Sequence, residues 1–198
     1  MVISNKERGI LIVLFKDFAS QYNARSISKL ACMTPRGALK ALKNLENQNF
    51  VVGKPFGKAI QYKLNFNALT KKTLELLLLE EAELKYKRWR EEFKDFNEAE
   101  IIILFGSVLR KEGKHNDIDV VFVFNKENYK LIMHKVDEKN EILPKKIHAV
   151  IQTPADLREN ITKKDPVIID AIRTGIVMKG YEKLVEQISE VIVNAGSP

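Results

Sequence analysis

The 198-residue sequence predicts an α/β (α+β) protein in two parts joined by a long connector helix. Three observations lead there. The first 67 residues are strongly basic and read as three helices followed by a β-hairpin. Residues 68–96 hold no glycine or proline and are rich in good helix formers. Residues 97–198 alternate apolar strand-like runs with helical stretches, the pattern of a small mixed sheet covered by helices. The expected divisions are therefore 1–67, 68–96 and 97–198.

Composition sets the outer limits. Hydrophobic residues at 45% and charged residues at 30% give the balance of a globular protein and exclude a disordered one. The longest apolar run, Ile10 to Phe15, stops at Lys16, well short of the roughly 20 residues that span a bilayer. No small-residue cleavage site follows that run. A single cysteine, Cys32, excludes an intrachain disulfide and a cysteine-rich zinc site. The expectation is a cytoplasmic protein with no membrane partner.

Charge is unevenly placed. Residues 1–67 carry eleven Lys or Arg against three acidic residues, a net of +8, while the whole chain is +7. The remainder is thus close to neutral. A basic excess confined to one segment is the electrostatic footprint expected of a nucleic-acid contact.

In that segment, residues 6–20 place apolar side chains at 10, 11, 14, 15 and 18, a helical stripe. Ser26 is expected to cap a second helix that turns Ile27, Leu30 and Ala31 inward. Thr34-Pro35 reads as a cap with proline at the first helical position of a third helix, running to about Glu46. Ala38, Leu42 and Leu45 face in; Arg36, Lys40, Lys43 and Asn44 face out. Two β-prone runs then flank a turn expected over Gly53 to Gly57, as a hairpin with a loose loop. Across about residues 5–66 this order resembles winged helix-turn-helix transcription regulators. The resemblance implies binding to duplex DNA, with Arg36, Lys40, Lys43 and Asn44 in a major groove and Lys54 and Lys58 on phosphates. Some relatives of this type use the module for protein contacts instead.

The connector, residues 68–96, is expected as one helix with Leu74, Leu77, Leu78, Trp89, Phe93 and Phe96 on an apolar face. A stripe that long needs burial on the adjoining domain or on a second copy, so a homodimer is a possible assembly.

The chemistry sits in residues 101–124. A continuous apolar run, 101–105, ends at Gly106-Ser107; nine residues later Asp117-Ile118-Asp119 opens a second buried strand. Alternation in a strand puts both carboxylates on one side. Side by side they would repel one another unless a cation lies between them. Gly106 allows phosphate to approach the backbone, and the amide and hydroxyl of Ser107 can hydrogen-bond it. Magnesium held by Asp117 and Asp119 would bridge those phosphates and activate a hydroxyl.

Strand, Gly-Ser and Asp-x-Asp together resemble the DNA polymerase beta-type nucleotidyltransferase superfamily, especially its minimal members, over about residues 97–193. The resemblance implies that Gly106 and Ser107 contact nucleotide phosphates, that Asp117 and Asp119 bind Mg²⁺ or Mn²⁺, and that a nucleoside triphosphate, with ATP expected, is the substrate. Arg110 stands where relatives often carry a basic residue, and Asn116 where they commonly carry Ser. The third carboxylate of the family, on the next strand, has no counterpart in Ile147-His148-Ala149-Val150. His148 occupies the nearest place and is the candidate third metal position; imidazole suits Mn²⁺ or Zn²⁺ better than Mg²⁺. Asp137, Glu141 or Asp156 would substitute only in a different register, and His115 and His134 are given no role. The expected function is transfer of a nucleoside monophosphate to a hydroxyl acceptor. The alternative is a DNA-binding regulator whose nucleotidyltransferase domain senses nucleotide without catalysis.

Overall fold

The computed structural model describes residues 3–110 and 117–195. The chain divides into two compact units, Met1–Leu77 and Leu78–Pro198. Unit one opens with helices α1 (Asn5–Lys16), α2 (Ala24–Leu30) and α3 (Pro35–Asn47), followed by strands β1 (Val51–Phe56) and β2 (Ala59–Leu64). The three helices and the hairpin occur in the order read from the sequence, and Ile10, Leu11, Phe15, Ile27, Ala38, Leu42 and Leu45 are buried.

Three local expectations need correction. The second helix is capped by Asn23, whose side chain accepts the Arg25 and Ser26 N–H groups; Ser26 instead completes a capping box by accepting the Asn23 N–H at 2.9 Å. That shift starts the helix earlier and leaves Leu30 53% exposed, so only Ile27 of its expected apolar trio is buried. The hairpin turn is not the loose Gly53–Gly57 loop. Gly53 lies within β1 opposite Tyr62, and pairing continues to Phe56↔Ala59, so only Gly57 and Lys58 make the turn. Gly57 has φ +57°, the left-handed backbone that two-residue hairpins demand and that glycine adopts without strain.

The third correction concerns the connector. It is two helices, α4 (Ala68–Lys85) and α5 (Lys87–Glu92), broken at Tyr86 with φ −130° and ψ 28°. The division between the units falls inside α4. Helix propensity favours continuity through 86, but tertiary packing overrides it. After the break, Tyr86 and Trp89 pack against the core of unit two, where Phe93 and Phe96 are buried. Phe93 meets Phe122 edge-on with centroids 6.0 Å apart, and Phe96 lies 5.1 Å from the same ring. Leu84, off that face, is exposed.

Unit two is built on a four-stranded mixed sheet in the order β5-β4-β3-β6, formed by β3 (Ile101–Phe105), β4 (Asp117–Val123), β5 (Lys146–Gln152) and β6 (Ile176–Lys179). β3 runs antiparallel to β4 and β6, and β4 runs parallel to β5. Alternation along β4 sends Ile118, Val120 and Phe122 to one face, where Ile132 and Val136 of α6 (Tyr129–Ile142) complete the core. The other face is covered by α7 (Pro154–Lys163), α8 (Pro166–Thr174) and α9 (Tyr181–Ala195). Thr153 and Asp165 cap α7 and α8 ahead of prolines. Among the described residues no helix is long and apolar enough to cross a membrane.

Unit one is tied together by Glu7. Its carboxylate accepts the Ser4 N–H at 2.8 Å, while its other oxygen accepts the Asn44 amide of α3 at 2.5 Å. Burial opposes its ionisation, but the Asn44 and Ser4 hydrogen bonds outweigh burial and hold its pKa below the usual glutamate value. A depressed carboxyl contributes stability above its unfolded pKa and loses it as pH falls through the folded one. Glu7→Gln should therefore destabilise the protein by about 1 kcal/mol near neutrality. Melting curves from pH 7 down to below pH 4 should show that difference shrinking in acid; a constant gap would contradict the charged hydrogen bonds.

Candidate functional site

The end of the sheet where β3 stops and β4 and β5 begin collects the chemistry. Burial of every β3 residue ends abruptly at Gly106, which turns with φ +79° into a short 3-10 turn, Gly106–Leu109. A β-carbon at Gly106 would overlap a carboxylate oxygen of Asp119 and lie 3.1 Å from its Cγ. Two constraints thus coincide on one residue: a backbone angle that L side chains resist, and the space Asp119 occupies. Ser107 follows, partly exposed, with its carbonyl accepting the Arg110 N–H at 3.0 Å.

Asp117 and Asp119 share the face of β4 opposite Ile118 and Val120, Asp117 exposed and Asp119 partly buried. Across the parallel ladder, Asp119 is in register with His148 of β5. His148 Nδ1 lies 3.2 Å from Asp119 Oδ1, and the imidazole side chain is 71% exposed. The structure therefore brings Gly106, Asp119 and His148 together, with Ser107 next to Gly106 and Asp117 two residues before Asp119 on the same strand face. Arg110 is exposed at the end of the turn. Asn116 and His115 lie outside the described residues.

The substitutes considered for a third carboxylate are elsewhere. Asp137 and Glu141 are exposed on α6, which packs on the opposite face of the sheet from Asp119. Asp156 is committed to the start of α7, where its carboxylate accepts the Thr153 N–H at 2.9 Å and the Thr153 hydroxyl at 2.6 Å. Those two hydrogen bonds hold its pKa below the ordinary aspartate value.

Among the described residues no group of three or more His, Cys, Asp or Glu side chains is gathered as a metal cage. The donor set nevertheless fits a divalent cation shared with a phosphate ligand. Small hard cations are commonly held by one or two carboxylates plus substrate phosphate oxygens, with water completing the shell. Asp117 and Asp119 are the carboxylates that could hold such a cation, and the exposed His148 offers a nitrogen, a donor better suited to Mn²⁺ than to Mg²⁺.

On unit one, Arg36, Lys40 and Lys43 are exposed on α3. With Lys6 they line an open groove of about 910 Å³ beside the start of α1. Asn44 is exposed on α3, as expected, and its amide nitrogen donates to Glu7 Oε1 at 2.5 Å. Lys54 projects from β1, and Lys58 sits in the turn itself. Glu7 had no signal as Asn44's partner beyond its place three residues after Ser4. The pairing of Asp119 with His148 needed the strand register, which spacing alone does not give.

Gly106→Ala should destabilise the protein by about 1–3 kcal/mol, the cost of forcing a side chain into left-handed backbone. Denaturant titration of Gly106→Ala beside Ser107→Ala measures it. Equal stability of the two variants would remove the proposed constraint on Asp119.

No curated protein and no solved structure matches the chain. Residues 87–175, from the first residue of α5 to the glycine before β6, match the family model Polymerase beta, Nucleotidyltransferase. The segment that carries Gly106, Ser107, Asp117, Asp119 and His148 is thereby similar to the nucleotidyltransferase superfamily.

Proposed function

We propose that this protein transfers a nucleoside monophosphate from a nucleoside triphosphate, preferably ATP, to a hydroxyl acceptor, and that its N-terminal unit binds duplex DNA as a winged helix. The observation that carries the first part is the Gly106 turn, closed against the Asp119 carboxylate at the end of the sheet. In this reading the turn holds the Asp119 carboxylate next to Ser107, whose amide and hydroxyl would hydrogen-bond phosphate oxygens. Arg110 offers a further cationic contact. In the reaction the acceptor oxygen bonds to the α-phosphorus, the α–β phosphoanhydride bond breaks, and pyrophosphate leaves. A divalent cation bound by Asp117 and Asp119 would neutralise phosphate charge and lower the pKa of the attacking hydroxyl.

A second reading is favoured by one observation. The residue beside Asp119 on β5 is His148, not a carboxylate, which weakens the site for Mg²⁺. On that reading the domain binds nucleotide without turnover and serves a DNA-binding regulator. The presence of both Asp117 and Asp119 favours catalysis, because a merely structural remnant has no use for two carboxylates on one strand face.

For the DNA contact, the support is charge placement. The net of +8 in residues 1–67 comes with exposed Arg36, Lys40 and Lys43 on one helix, and Lys54 and Lys58 on the hairpin.

ATP with Mn²⁺ or Mg²⁺ should raise the melting temperature, and the Asp117→Asn/Asp119→Asn variant should lose that response. At about a hundredfold excess over the dissociation constant the stabilisation is about 2.7 kcal/mol. Mn²⁺ should outperform Mg²⁺, and His148→Asp should reverse the order. No response to any nucleotide and metal would overturn the nucleotide site. Separately, a salt-dependent gel shift on duplex DNA should weaken in Lys40→Glu and Lys58→Glu, with the salt slope falling by about one for each phosphate that is no longer neutralised. Unchanged binding in both would place DNA, if bound, on another surface.

A further inference from the structure

The tip of the β1–β2 hairpin carries a feature that phosphate binding does not use. Phe56, the last residue of β1, is 65% exposed. It faces Ala59 across the two-residue turn of Gly57 and Lys58. Ile60, which pairs with Pro55 and lies on the opposite face, is 43% exposed. By strand alternation Phe56 shares its face of the hairpin with Lys54 on the same strand and with Gln61 and Lys63 on β2. No acidic residue occurs anywhere from Val51 to Leu64. An aromatic ring is thus held out at the apex of a rigid ribbon, with lysines at 54, 58 and 63 around it.

An exposed phenylalanine ringed by cations suits a polyanion with an apolar interior. Duplex DNA offers phosphates outside and stacked bases within, and apolar wedges inserted between base steps are a known mode of groove binding. An anionic bilayer has a similar layering, but the exposed apolar side chains divide between the two faces of the hairpin, Phe56 and Val52 on one and Ile60 on the other, which leaves neither face much area for anchoring. The same unit exposes further cations on α3, Arg36, Lys40 and Lys43, and a polyanion is the partner that such an excess suits.

Building on the DNA-binding reading above, we infer that Phe56 is a base-contacting wedge: it packs against or between bases of duplex DNA while Lys54, Lys58 and Lys63 hold the flanking phosphates. The lysines then supply the salt-dependent part of affinity, and Phe56 a salt-independent part coupled to local unstacking. Flexible pyrimidine–purine steps should be preferred, since they unstack most easily.

The full-length protein is titrated into a short mixed-sequence duplex with 2-aminopurine at a TA step, following anisotropy and 2-aminopurine emission. Wild type should bind with a rise in emission as the base unstacks. Phe56→Ala should bind about tenfold more weakly, as expected when one aromatic ring no longer stacks on a base, and the emission change should vanish with it. Its salt slope should stay the same. Phe56→Trp should retain both. Lys58→Glu should weaken binding and lower the slope by about one. Because Phe56 is exposed, the melting temperature of Phe56→Ala should match wild type, which excludes misfolding as the cause. Wild-type binding with Phe56→Ala equal to it in affinity and emission would overturn the wedge and leave the DNA reading standing. No binding of wild type to any duplex would overturn both, and so would Phe56-dependent binding to phosphatidylserine vesicles without DNA binding.

Discussion

The C-terminal unit depends on one crowded place, where β3 ends and the chain must turn beneath the Asp119 carboxylate. Phe105 pairs with Asp119 across the antiparallel ladder, and the next residue, Gly106, has a left-handed angle and no room for a side chain. Five buried residues of β3 and five of β4 fix the ladder on the core side. The backbone that carries the carboxylate is therefore fixed beside the turn. Hydrophobic burial, which has no preference for direction, is converted here into the placement of a single polar group.

The same ladder explains why polar groups cluster at this end of the sheet. β4 and β5 run parallel, so their first residues lie side by side. The apolar runs that follow them are long enough to fill the core, and the positions before those runs are left for Asp117, Asp119, Lys146 and His148. Asp119 and His148 meet because the register pairs them, with His148 Nδ1 3.2 Å from Asp119 Oδ1.

Much of this architecture was legible in the sequence, and the reasons are local. Thr34-Pro35, Thr153-Pro154 and Asp165-Pro166 announce helix starts, because a cap followed by proline satisfies the geometry of the first turn. The run 101–105 announces a strand buried on both faces. Expectations failed where a distant contact decided the outcome. Gly53 looks like a turn residue, yet it lies in β1 because its N–H donates to Glu46 at 2.8 Å and a side chain there would crowd Ile60 and Tyr62. Tyr86 looks like a helix interior, yet the aromatic residues after it are drawn to the core. Asn44 faces out as expected, yet its amide nitrogen is held by Glu7, 37 residues earlier, a partner that local pattern does not reveal. For the site, residue types were readable and their neighbours were not, since strand register is a tertiary fact.

The hairpin of unit one has a consequence for recognition in general. A long, loose loop would give up conformational entropy each time it docked, at about 1–2 kcal/mol for every residue whose backbone becomes fixed. Here the ladder runs unbroken to Phe56 and Ala59, so the freezing of the backbone has already been met during folding. Whatever this apex touches, it arrives preorganised, and more of the interaction energy remains available as affinity. Lengthening the turn with glycine and serine, with every contacting side chain unaltered, would remove that advantage and isolate its size.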